Sequence, residues 1–334
     1  MTTKKVKFAD TDLATEQFTS LNDEFYNLAA PAEYFRFRLH TLLVLAGRAD
    51  GVGRLIEEGI EYGPITLKAM DEQPEMTDEE DAARVERYVQ SEAQNLFHHT
   101  AECLVRLVLA HLDMPGCPWL ELARLKQPGA FASQLARFVD HRETDWRERV
   151  GTMFLGGPTP ETSSGPRTQE GLDEVAGVYV ELLAVLARRL QDDSTLYNST
   201  KHGLAVVTGP QSIQFQDEAT GSVFLGADGP ASTFLQIVQD GAGGWCWEKA
   251  TRWLNTPETL MLTELAIQLI DTLWTMARVR YTGVNEGRLH YWDRAKWERL
   301  KSEARPLHPM KLFSVKLNYY LPARPLTGDS PGEI

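Results

Sequence analysis

Between Tyr197 and Gly203 the chain reads Tyr-Asn-Ser-Thr-Lys-His-Gly. Three of these side chains suit proton transfer and anion binding. Asn198 and His202 are four residues apart, so on a helix they share a face. An imidazole takes up and releases a proton near neutral pH better than any other side chain. Asn198 can orient that ring or a ligand, and Lys201 brings a positive charge beside it. Gly203 permits the left-handed backbone that ends a helix, which would set the imidazole at a last turn near a surface or cleft. The same letters also describe an ordinary helix end, where cations offset the helix dipole and glycine caps.

A second constellation lies upstream. Tyr88, Glu92, Asn95, His99, Glu102 and Arg106 recur at intervals of four or three. They form a polar stripe on a helix that is otherwise strongly apolar. Such a stripe must face water, pair internally or line a pocket, because buried polar groups need partners. Glu102 and Arg106 can pair with each other across one turn. Arg106 and His111 are separated by about 140° around a helix, so they diverge unless the helix unwinds near Leu112. His98 with Glu102, and His99 with Cys103, could each offer two metal ligands from one turn. Residues 172–202 supply no Glu-x-x-His partner for a two-metal site. No metal and no cofactor are expected.

The Asn198–Gly203 pattern at a helix end resembles the HEPN superfamily of helical bundles, many of which are metal-independent ribonucleases. The signature of that family is Arg, four to six residues, then His, often with Asn after the Arg and Gly after the His. Asn198, His202 and Gly203 match it, and Tyr197 stands where the Arg would be. The likeness rests on these few residues and extends loosely over residues 78–282. It implies RNA or nucleotide binding, with His202 as general acid/base, Asn198 positioning the phosphate and a homodimer as the assembly. Tyr197 supplies no charge to a scissile phosphate. Either Lys201 compensates, or a base from another helix does, with Arg106 the first candidate, or the protein binds without cutting. On this reading Arg106, Glu102, His99 and Tyr197 line the substrate. The alternative is a non-catalytic helical interaction module with a degenerate site.

Periodicity places the elements that would position these residues. Apolar spacing predicts helices over 11–29 and 31–47, a short one near 54–62, and a long one opened by a Thr77–Glu80 capping box and closing at Leu112. Shorter helices follow at 119–126, 129–140 and 143–150. The stretch 156–168, rich in Gly, Pro, Ser and Thr, reads as a linker. One helix is predicted from about 172 to 201. Short Val-, Ile-, Phe- and Trp-rich runs at 204–208, 211–217, 222–226, 233–239 and 245–248, separated by turn signals, predict a β-meander. A helix capped at Thr256-Pro257-Glu258 should run to about Arg280, and another should span 291–303. The fold class is therefore mainly α: a helical bundle carrying a small antiparallel meander at about 204–248. The domain reading is N-terminal helices at 1–70, the bundle with its insertion at 78–282, and a basic aromatic segment at 283–334.

Composition narrows the function classes. The 334 residues carry a net charge of −13, which argues against a general nucleic-acid coat protein. The charge is uneven. Residues 71–81 hold seven acids and no base, whereas residues 278–324 hold eleven Lys/Arg against four Asp/Glu. Six aromatics (Tyr281, Tyr291, Trp292, Trp297, Tyr319 and Tyr320) are interleaved with those bases. Bases among aromatics can grip single-stranded RNA by phosphate contacts and stacking; the same letters fit a solvated amphipathic helix whose aromatics face a core. Three widely spaced cysteines, no secretory leader and no long apolar run predict a cytoplasmic protein that does not cross a membrane. P-loop, dinucleotide-binding, nucleophile-elbow and HExxH motifs do not occur.

Overall fold

The computed structural model describes residues 13–27, 30–47, 60–62, 65–67, 77–126, 129–140, 146–201, 205–218, 220–239, 245–303 and 312–316. His202 and Gly203 of the motif lie outside these residues. So do 71–76 of the acidic run, most of the short helix expected near 54–62, and Tyr319 and Tyr320.

The predicted helices form where apolar spacing and caps coincide. They are α1 (Thr15–Asn27), α2 (Pro31–Ala46), α3 (Asp78–His111), α4 (Pro118–Arg124), α5 (Ala130–Asp140), α6 (Trp146–Leu155), α7 (Gln169–Asp192), α8 (Ser194–Lys201), α9 (Thr256–Thr282) and α10 (Arg294–Glu303). The capping box that opens α3 is formed in both directions: Glu80 N–H donates to Thr77 Oγ1 (3.2 Å) and Thr77 N–H to Glu80 Oε2 (2.9 Å). The cap of α9 is Asn255 rather than Thr256. Its Oδ1 accepts from Glu258 N–H at 3.1 Å, and Pro257 follows inside the first turn. The single helix expected over 172–201 is two, broken at Asp193. The buried Asp193 carboxylate turns back to hold Arg189 Nε at 2.5 Å.

The chain divides into two compact units, residues 1–197 with 255–305 and residues 198–254 with 306–334. In the first, α3 and α9 are the central helices. α9 packs on α1, α2, α3 and α6, while α7 packs on α3, α5 and α6. Their shared core includes Phe97, Leu104, Val108, Phe154, Tyr179, Leu182, Leu186, Ile267, Ile270 and Leu273. α9 is also the one described helix long and apolar enough to cross a membrane, contrary to the expectation that no segment is. Most of that apolar window, 72%, is buried inside the protein, as in a core helix. Where a short helix was expected, residues 60–62 instead form a strand, β1 (Ile60–Tyr62), antiparallel to β2 (Ile65–Leu67). The expected linker 156–168 is folded onto the helices: Ser163 is buried and Ser164 N–H donates to Leu155 O at 2.6 Å.

The second unit is an antiparallel sheet in the order β3 (Val206–Gln216), β4 (Val223–Gln239), β5 (Trp245–Trp253) and β6 (Leu312–Lys316). The five short runs read from the sequence merge into three longer strands. Gly209-Pro210 and Gly229-Pro230 do not interrupt them, because Pro210 lies directly opposite Pro230. The two N–H groups that proline lacks fall on one rung, and pairing continues on both sides. The fourth strand, β6, comes from the C-terminal segment and pairs with β5.

Candidate functional site

Of the polar stripe on α3, Glu92, His99 and Arg106 are engaged by neighbouring elements, while Tyr88 is exposed. Arg38 of α2 donates to Glu92 and meets His99 Nδ1 at 3.1 Å. The His99 ring stands edge-on to Phe35, with centroids 5.1 Å apart. Arg106 Nε donates to Glu102 Oε1 at 2.8 Å and its Nη1 to the Leu125 carbonyl at 2.7 Å, while its guanidinium lies 4.0 Å over the Phe131 ring. Arg106 is thus a brace between α3 and the chain beyond α4. Tyr197 stacks flat on the buried His98, centroids 4.4 Å apart and planes within 2°. Burial pushes the Cys103 thiol up to about 12, so it stays protonated and is a poor metal ligand. No group of three or more His, Cys, Asp or Glu among the described residues is arranged to hold a metal.

His111, at the end of α3, is further inside. Its Nδ1 donates to the Leu107 carbonyl at 2.6 Å, which leaves Nε2 to accept from Tyr26 O–H at 2.5 Å. Burial holds the ring neutral, with its pKa lowered to about 4. Tyr26 in turn stacks on Tyr281, and burial raises both phenols, Tyr281 to about 12. These groups sit in the aromatic core among α1, α3 and α9, so Arg106 and His111 do not act together.

Of the motif itself, Asn198 and Lys201 are exposed at the last turn of α8, which ends at Lys201.

A different concavity gathers the chemistry read in the basic aromatic segment. Gly283 ends α9 in the left-handed conformation, at φ 73°. The chain then doubles back along that helix. His290 N–H donates to Thr272 Oγ1 at 3.0 Å, Thr275 Oγ1 to the Arg288 carbonyl at 3.2 Å, and Tyr179 O–H to the His290 carbonyl at 2.7 Å. Gly287 is needed for this close return: a Cβ there would meet Thr275 Oγ1 at 2.3 Å. α10 is anchored from its inner face. Glu181 of α7 accepts both Nη atoms of Arg294 and the Trp297 indole N–H, each at 2.8 Å, and these bonds hold its carboxyl below the usual range.

With Arg294 and Trp297 turned inward, other side chains of the segment line an open concavity of about 500 Å³. Its walls are Lys296, Arg299, His290, Trp292, Tyr291 and Gln268, closed by Leu289 and Leu300. No carboxylate is among them. Lys296 donates one of its three protons to the Tyr291 carbonyl at 2.8 Å. The Trp292 indole N–H is buried with no acceptor among the described residues, a donor that calls for a partner. A neighbouring cavity of about 390 Å³ contrasts with it: Arg36, Arg278 and Arg288 are balanced there by Glu33, Asp271 and Glu286. Asp271 Oδ2 holds both Arg36 (2.7 Å) and His290 Nε2 (3.3 Å).

The interleaving of bases with aromatics over 278–324 was the signal for this pocket. What it did not reveal is which bases turn outward, because that depends on Glu181, more than a hundred residues away. Comparison with protein-family models, curated proteins and solved structures found no match to the chain.

Proposed function

We propose that this chain is a nucleotide- or RNA-binding protein whose anion-recognising site is the concavity at Leu289–Leu300. One observation carries the reading. In a protein of net charge −13, Lys296, Arg299 and His290 line one pocket with Tyr291 and Trp292 and without a carboxylate. A guanidinium and an ammonium three residues apart on a helix face match phosphate oxygens, and an indole or phenol beside them suits a base. The volume falls in the range of small-molecule sites. The reading keeps the binding class implied by the HEPN-like resemblance and moves recognition from the 197–203 motif to the C-terminal segment. It assigns no cleavage. The three cysteines are free, which supports placing the protein in a reducing cytoplasm.

Calorimetric titration with adenosine 5′-monophosphate in chelator tests this. Binding should weaken with salt and fall about tenfold in Arg299→Ala, since a charge-assisted hydrogen bond contributes roughly 1.5–3 kcal/mol. The melting temperature should not move, because the side chain is exposed. Absence of binding, or an unchanged affinity in Arg299→Ala, refutes the assignment.

A further inference from the structure

One face of the sheet in the second unit is apolar, buried at one end and exposed at the other. Along β5, Trp245 and Trp247 are 72% and 52% exposed, while Glu248 between their positions and Lys249 is half-buried on the other face and accepts from Gln236 Nε2 at 3.2 Å. Ala250 and its neighbour Phe234 are buried on that other face. The tryptophan face continues along β5 into the buried cluster of Trp253 and Ala231, with Phe313 packed on it; at the Trp245 end the same face is exposed. The cross-strand register sets Ile237 opposite Trp247, Leu235 opposite Lys249, and Val315 of β6 beyond Lys249. All three aliphatics are about half exposed. The described strand residues on this face include no Asp or Glu, in a chain with 47 of them. An exposed contiguous apolar face marks an interaction site, whereas scattered apolar residues would not.

We infer that this face is a stacking platform for unpaired bases of single-stranded RNA. Spacing and charge point to this ligand. Same-face residues two apart on a strand are about 7 Å apart, the separation of consecutive bases splayed out of a helical stack. Trp245 and Trp247 are set as two such steps, and Lys249 is the next outward position for the phosphate that follows. The Thr233 and Thr251 hydroxyls, bonded to each other at 2.9 Å at the end of the file, are polar groups within the chemistry of a ribose 2′-OH. The inference rests on the nucleotide- or RNA-binding reading above for the identity of the ligand, and on the sheet alone for its location.

The test uses the full chain and fluorescein-labelled decauridylate, followed by anisotropy, with adenosine 5′-monophosphate titrated in parallel. Trp245→Ala and Trp247→Ala should each weaken decauridylate binding about tenfold, the magnitude of a lost base–aromatic stack. Trp247→Phe should retain most of the affinity, Lys249→Ala should flatten its salt dependence, and monophosphate binding should be unchanged in all four. Unchanged decauridylate affinity in the double tryptophan variant overturns the proposal, as does equal binding of the deoxy strand. A wild-type chain that binds the monophosphate but not decauridylate overturns it while leaving the pocket reading intact; the reverse result removes the pocket and keeps the platform. If sedimentation shows a dimer that Trp247→Ala dissociates without altering RNA affinity, a second copy of the chain covers this face and the proposal fails.

Discussion

The long helix α3 and the segment from Leu289 to Leu300 carry the same kinds of side chain: histidines, arginines and aromatics among apolar residues. They differ in what meets them. On α3, His99 has Arg38, Arg106 has Glu102 and the Leu125 carbonyl, and His111 has Tyr26 and the Leu107 carbonyl. In the later segment Glu181 holds Arg294 and Trp297 inward, while Lys296 donates to the Tyr291 carbonyl and His290 meets Asp271. Lys296 and Arg299 are exposed on α10 and line an open concavity. Sequence spacing reports which side chains share a face. Whether another element closes over that face depends on tertiary packing, and that difference separates a structural brace from a site.

The comparison is tested most strongly at His111. The folded protein keeps this ring neutral, with its pKa lowered from 6.5 to about 4 by burial. The unfolded chain therefore takes up the proton first as pH falls. Stability is full above pH 6.5, is lost progressively between 6.5 and 4, and levels off below. The loss should be about 3 kcal/mol at 1.36 kcal/mol per pKa unit. Urea denaturation at pH 7 and pH 4 should show it for the wild type and a clearly smaller loss for His111→Gln. Parallel losses in the two proteins would show that other groups set the acid sensitivity.

Arg106→Ala asks whether α3 is a brace in the same sense. The change removes the Glu102 pair and the contact with Phe131, and leaves the Leu125 carbonyl without that donor. The pair is about one quarter exposed, so a loss of roughly 1–2 kcal/mol is expected. Affinity for adenosine 5′-monophosphate should not change. A variant of unaltered stability that no longer binds the nucleotide would return Arg106 to the role of ligand contact.

What could be read from the sequence follows the range of the interactions involved. The start of α3 was legible because a capping box is local, completed within Thr77 to Glu80. The merging of the strands was not, because Pro210 is tolerated only by virtue of Pro230 opposite it on another strand. β6 was missed for the same reason: five residues without a turn signal become a strand only where β5 offers an edge. The break at Asp193 depends on a buried carboxylate folding back on Arg189, which no periodicity records. Among the site candidates, Asn198 and Lys201 lie in the last described turn of α8, and His202 and Gly203 lie outside the described residues. The basic aromatic segment supplied the pocket, but its outward charges were indistinguishable from its inward ones until Glu181 was in place. Tyr197, read as a substitute at a motif position, instead stacks on His98.

The smallest effect is expected at the motif, and it is the one that weighs motif against pocket directly. Asn198 is exposed at the last turn of α8, and surface substitutions of this kind usually alter stability by no more than about 0.5 kcal/mol. Asn198→Ala should therefore leave the urea midpoint nearly unchanged. If Lys296 and Arg299 provide the anion site, affinity for adenosine 5′-monophosphate should stay within about twofold of wild type, less than 0.5 kcal/mol. A tenfold loss of nucleotide affinity in a variant that still unfolds like the wild type would reverse the comparison. The exposed turn of α8 would then be the ligand site, and the cationic concavity a surface feature of α10.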